Sequence, residues 1–232
     1  MKFIGRLIIL LLILQCWITP VRAQNDEYTM EVGGFLGGSF YMGDANYSKL
    51  YKDTGFTGGL IARYILNPHM ALKSNLAVGK IAGDTRDFEN KYPGWENVSF
   101  TRTVFDLGVQ YEYNFLGYSS EEDFRGTRRF TPYILGGVGL TYAPKPAGNI
   151  FTVNLPVGLG VKYKIAPRIN IGVEFTMRFT LSDKLDVTNR NGLTLEDPYQ
   201  IKGKGFKNKD SYSFTVFFIT YDILSRCKGC NY

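Results

Sequence analysis

Residues 98–115 read VSFTRTVFDLGVQYEYNF. The odd positions from 103 are Thr103, Phe105, Leu107, Val109, Tyr111, Tyr113 and Phe115. The even positions from 102 are Arg102, Val104, Asp106, Gly108, Gln110, Glu112 and Asn114. One set is apolar and ends in aromatics, and the other is mostly polar or charged. Successive side chains of an extended strand point to opposite sides, so a period of two marks a strand between two different surroundings.

The design recurs. Over 152–165, Val153, Leu155, Val157, Leu159, Val161, Tyr163 and Ile165 oppose Thr152, Asn154, Pro156, Gly158, Gly160, Lys162 and Lys164. Over 168–181, Ile169, Ile171, Val173, Phe175, Met177, Phe179 and Leu181 oppose Arg168, Asn170, Gly172, Glu174, Thr176, Arg178 and Thr180. Noisier alternation predicts five further strands, roughly Met30–Tyr41, Phe56–Leu66, Met70–Gly83, Pro132–Ala143 and Ser211–Leu224. The total is eight. In the last strand Phe214 to Ile219 are apolar on both faces, which leaves its register open.

The connections alternate too. Asn67-Pro68-His69 and Ala166-Pro167 are tight turns. The other side carries Gly43–Gly55, Asp84–Asn97, Pro144–Asn149 and the long Ser182–Asp210. Short turns at one end and long loops at the other belong to outer-membrane barrels. Gly117–Thr131 is the exception: it falls on the short-turn side and is long.

A soluble sandwich or lipocalin-like barrel would show the same period with its apolar face inward. Three features favour the membrane. The polar faces are rich in Gly, which suits a narrow lumen. They carry both signs of charge: Glu31, Arg63, Lys73, Arg102, Asp106, Glu112, Lys162, Glu174 and Arg178. Tyr and Phe, 33 residues together, gather at strand ends as an aromatic girdle would. The expected fold is an all-β, eight-stranded antiparallel outer-membrane barrel. Eight strands enclose just enough room for side chains. The lumen charges must then pair, because an unpaired buried charge costs several kcal/mol. A sizeable pore is not expected.

The N-terminus fits export. Lys2 and Arg6 precede the apolar run Leu7–Leu14, and Val21 and Ala23 are small residues before Gln24. That is a signal-peptide pattern over 1–23. Lipoprotein processing at Cys16 is the alternative, but Gln15 stands where a small residue is wanted. The organisation expected is signal 1–23, barrel 24–224 and periplasmic tail 225–232. No later segment is long and apolar enough for a membrane helix. The net charge of +6 falls to +3 without Lys2, Arg6 and Arg22, so nucleic acid is not an expected partner.

Chemistry-bearing motifs are few. His69, the single histidine, sits in a tight turn with no metal-ligand spacing around it and no marked nucleophile. The Gly runs open no helix, so they are not phosphate loops. No cofactor and no catalysis are expected. Cys227 and Cys230 end the chain; in an oxidising compartment they suggest a disulfide, within the chain or to a partner. Lys202, Lys204, Lys207 and Lys209 lie in the long external loop, where they could touch lipopolysaccharide or simply be solvated. Phe124, Arg125, Arg128 and Arg129 lie in the long periplasmic connection, a candidate docking surface because minimal turns are the rule there.

Several stretches resemble the PorG-like outer-membrane proteins. They are Glu31–Asp44 (EVGGFLGGSFYMGD), Arg63–Lys73 (RYILNPHMALK), Gly79–Asp84 (GKIAGD), Phe105–Phe115 (FDLGVQYEYNF), Thr131-Pro132-Tyr133 and the Cys near the end. Each piece is moderately specific; their order is more so. The resemblance implies a non-enzymatic component of the type IX secretion system, integral to the outer membrane. Its implied partners are a PorK-like lipoprotein and a PorN-like protein of the periplasmic ring. A small pore or receptor barrel without a secretion role is the competing expectation.

Overall fold

The computed structural model describes residues 27–42, 53–84, 99–119, 128–144, 148–182, 185 and 210–226. Eight strands run in chain order: β1 (Glu27–Met42), β2 (Gly55–Asn67), β3 (Met70–Asp84), β4 (Ser99–Asn114), β5 (Phe130–Ala143), β6 (Ile150–Ala166), β7 (Ile169–Thr180) and β8 (Ser211–Arg226). Each pairs antiparallel with its sequence neighbours, and β1 pairs with β8, so the sheet closes into a barrel. The strands are 12 to 17 residues long. Nine to eleven tilted residues cross a bilayer, so these strands extend beyond it.

The outer wall is apolar. In the ladder Leu60, Leu76, Leu107 and Leu140 stand opposite one another across β2 to β5, and all four side chains are exposed. Exposed aromatics flank this belt. Phe105, Tyr142 and Phe151 lie in register toward the long-loop end. Tyr64 and Tyr111 flank Leu72, and Phe130 pairs with Tyr163, toward the tight-turn end. Only a hydrocarbon surround makes so much exposed apolar wall stable. The tight turns, with both ends of the strand set, mark the periplasmic side.

The register also fixes the inner face. In β8, Phe214, Val216 and Phe218 point inward and are buried, while Phe217 and Ile219 point outward. That resolves the two-faced apolar stretch and places apolar side chains in the lumen beside its charges. Phe35, Phe214, Phe218, Tyr133 and Tyr212 are buried aromatics of the interior. At the extracellular end Tyr41 stacks edge-on with Phe100 at 5.0 Å, and Leu185 is buried with them.

Strands β1 and β8 are longer than their alternation suggests because each supplies the other's edge. Their ladder runs from Glu27–Arg226 to Met42–Ser211. Close approach along this seam requires glycine: a Cβ on Gly33 would lie 2.0 Å from the Ile219 carbonyl oxygen.

Candidate functional site

The interior is built in layers. In the middle, the ladder sets Glu31, Arg63 and Lys73 side by side on β1, β2 and β3. Arg63 donates to Glu31 at 3.1 Å and, across the lumen, to Glu112 at 2.8 Å. Lys73 donates to Glu174 at 2.6 and 2.7 Å, and Lys162 reaches Glu112 at 3.3 Å. Three cations thus meet three carboxylates. The Tyr133 hydroxyl donates to Glu174 at 2.7 Å, and Thr220 donates to Glu31 at 3.1 Å. The Arg63 guanidinium also lies over the Phe218 ring at 4.4 Å. All six charged groups are buried.

A second layer lies toward the extracellular side around Asp106. Its carboxylate accepts from Asn75 at 2.9 Å, Asn154 at 2.8 Å and Tyr212 at 2.8 Å. Arg178 approaches it at 3.2 Å and stands over the Phe214 ring at 4.1 Å. Arg102 is buried on the same inner face. Higher still, Tyr41 donates to Asp210, which also accepts the Leu185 amide at 2.8 Å.

The third layer closes the periplasmic mouth. Lys164 pairs with Asp222, and Asn170 donates to the same carboxylate at 2.6 Å. Tyr118 enters this layer from the connection between β4 and β5. Its hydroxyl donates to Asn170 at 2.8 Å, and the Lys162 and Lys164 ammonium groups lie 4.9 and 5.3 Å from its ring centre. Burial pushes the Tyr118 phenol up, which keeps it a neutral donor. The backbone holds the plug: the Tyr118 amide donates to the Pro68 carbonyl at 3.0 Å, and the Arg128 amide donates to the Gly117 carbonyl at 2.7 Å.

His69 serves the same end of the barrel. Its ring Nδ1 donates to the Asn114 carbonyl at 3.1 Å, and its amide donates to the Asn67 side chain at 2.9 Å. It staples the turn between β2 and β3 to β4. Among the described residues no group of three or more His, Cys, Asp or Glu could hold a metal.

A family pattern described as a domain of unknown function, DUF6089, matches residues 6–231. The chain belongs to the DUF6089 family. No curated protein sequence matches it. Among solved structures, this DUF6089 barrel is similar to Neisserial surface protein A, with a TM-score of 0.50 and 14% identity over 84% of this chain and 97% of that one. It is also similar to OprG of Pseudomonas aeruginosa (TM-score 0.45, 12% identity, 85% and 97% covered). Ail of Yersinia pestis matches with a TM-score of 0.44 and 14% identity, covering 86% and 100%. At 14% identity the likeness to Neisserial surface protein A speaks for the fold alone, an eight-stranded outer-membrane barrel.

The DUF6089 barrel brings eight of the nine lumen charges read from the sequence into the two upper ionic layers: Glu31, Arg63, Lys73, Glu112, Lys162 and Glu174 in one, Asp106 and Arg178 in the other. Sequence reasoning missed the Lys164–Asp222 pair and the Tyr118 plug. Arg128 and Arg129 are exposed at the periplasmic rim, where the plug segment returns to β5. Arg168, in the turn between β6 and β7, is a third cation there. Hydrogen bonds with the Tyr221 and Tyr28 hydroxyls raise its pKa further, so it is always charged. Phe124, Arg125, Cys227, Cys230, the external lysines 202, 204, 207 and 209, and the signal segment 1–23 lie outside the described residues.

Proposed function

We propose that this barrel is a non-catalytic outer-membrane component of the type IX secretion system, one that anchors or positions the periplasmic ring of PorK-like and PorN-like proteins. The observation that carries the reading is the sealed lumen. Paired charge fills the middle, and Tyr118 closes the periplasmic mouth. A barrel whose described lumen is filled in this way does its work at its ends. The connection that supplies the plug is the long one on the periplasmic side, and Arg128, Arg129 and Arg168 surround its base. Guanidinium groups gathered at one rim suit carboxylates on a partner protein. The ordered resemblance to PorG-like sequences supplies the secretion assignment. β8 ends on that side, and Cys227 and Cys230, next in the sequence, would offer a covalent tie.

The test is recovery of partners. Outer membranes carrying the tagged full-length protein are solubilised, cross-linked and captured. PorK-like and PorN-like proteins should come down with the wild type. Replacing residues 120–127 with a short Gly-Ser link, which keeps Tyr118 and Arg128, should reduce that recovery at least tenfold while the barrel still folds. Unreduced gels should show a heavier band that reductant removes if the tail bonds a partner. Absence of ring proteins from the wild-type capture would sink the assignment.

A further inference from the structure

The first two strands carry two kinds of glycine. Gly37 and Gly59 stand on the lumen face with Phe35 and Thr57, and a Cβ on either would come within 2.1 Å of a carbonyl oxygen on the neighbouring strand, so the fold itself requires them. Gly34 is different: its Cβ would meet nothing nearer than the Gly59 carbonyl oxygen at 3.4 Å. Gly58 would meet the movable end of Leu36 at 2.9 Å and the Phe35 oxygen at 3.3 Å. Both face outward on β1 and β2, where the wall elsewhere carries large apolar side chains such as Leu60 and Leu76. The tip of Leu36 rests over Gly58, and among the described residues no side chain lies over Gly34; together the two leave a recess.

That recess is a groove of about 870 Å³ on the lipid side, floored by Gly34 and Gly58 and walled by Leu36, Phe56, Phe217 and Ile219. One end is not apolar. Lys80 lines it, exposed, one residue beyond the Thr57–Gly79 pair and therefore beside Phe56. Lys80 pairs across the ladder with Thr103, one step further out than Val78 and Phe105. Phe105 belongs to the extracellular aromatic band with Tyr142, so Lys80 stands at the headgroup level of the outer leaflet. No ion pair forms on it among the described residues. An outward lysine is tolerated at that depth because its stem lies along apolar wall while its ammonium reaches the interface.

An apolar trough ending in a cation at headgroup height has the chemistry of an anionic lipid. A soluble peptide cannot reach it, and acyl chains surround it already. We propose that the groove seats one acyl chain of a phosphorylated outer-leaflet saccharolipid, with the Lys80 ammonium on its phosphate. The inference needs only the barrel in its membrane; it does not depend on a secretion role.

The probe is diphosphoryl lipid A at a low mole fraction in phosphatidylcholine nanodiscs holding the full-length protein, with bound lipid read by native mass spectrometry. Wild type should retain one lipid A in preference to phosphatidylcholine. Lys80→Gln should lower that retention about fivefold, the gain expected of one lysine at an anionic surface. Gly34→Leu should lower it as much or more by filling the floor, with the heat-modifiable gel shift unchanged. Lys80→Gln alters one exposed side chain, so it reports even where Gly34→Leu fails to fold. Equal retention by wild type and Lys80→Gln would overturn the proposal. So would equal competition by phosphatidylglycerol, or a dimer of this chain abolished by Gly34→Leu.

Discussion

Arg63 ties several strands of the interior together. It spans β1, β2 and β4 by its bonds to Glu31 and Glu112, lies over Phe218 and stands 4.0 Å from Glu174. Breaking a buried charge cluster on one side costs more than the cluster contributes, because the partners stay behind uncompensated. Arg63→Met should therefore destabilise the barrel by about 3–5 kcal/mol, read as a lower urea midpoint in detergent micelles; an unchanged midpoint would contradict this account. Membership of the cluster was legible in the sequence, because period two assigns Arg63, Glu112 and Glu174 to the polar face. Their partnerships were not. Lys73 and Glu174 are 101 residues apart and meet only across a closed lumen. Tyr118 was missed for another reason: its segment has no periodicity to read, and it is drawn inward by the distant Pro68 carbonyl and Asn170 side chain.

At the scale of the element, each strand divides its side chains between hydrocarbon and lumen. β4 shows this cleanly: Leu107 is 51% exposed and Asp106 beside it is 1% exposed. Leu107 stands mid-strand on the lipid face. Leu107→Arg should cost about 2–4 kcal/mol, the depth-dependent penalty for a cation near the midplane of a barrel wall. The same change at Phe151, in the extracellular aromatic band, should cost about 1 kcal/mol or less. Refolding equilibria of the two variants into phosphatidylcholine vesicles compare them directly, and equal costs would argue that the wall does not face lipid. The three strands with strict alternation were read almost to the residue. β8 was not, since aromatics serve both its faces and pattern alone assigns no side to Phe214 or Phe217. Only its ladders with β1 and β7 do so.

Across its described residues the molecule is a plugged cylinder, with ionic layers at the periplasmic mouth, at the middle and around Asp106, and with aromatics above. Reconstituted in planar bilayers it should give no stable nanosiemens-scale conductance, and a steady channel of that size would reverse the reading of a sealed lumen. Fold class followed from strand count, loop asymmetry and the two-faced strands, all properties of the chain read locally. The candidate docking end followed only in outline. The length of the connection between β4 and β5 marked it, but its inner half turned out to close the barrel rather than extend from it.

The seam between β1 and β8 constrains how such a wall is made. The first strand translated finds its partner in the last, with Glu27 opposite Arg226, so no shorter set of strands has both edges satisfied. Contacts this distant in sequence form late and slowly. The chain must cross the periplasm with its lipid-seeking faces bare and wait for its own end, which makes assembly all-or-none and dependent on an escort. A chain cut before Ser211 should accumulate as protease-sensitive aggregate with no heat-modifiable band. A resistant, monomeric fragment would show instead that the cylinder can be finished without its closing stave.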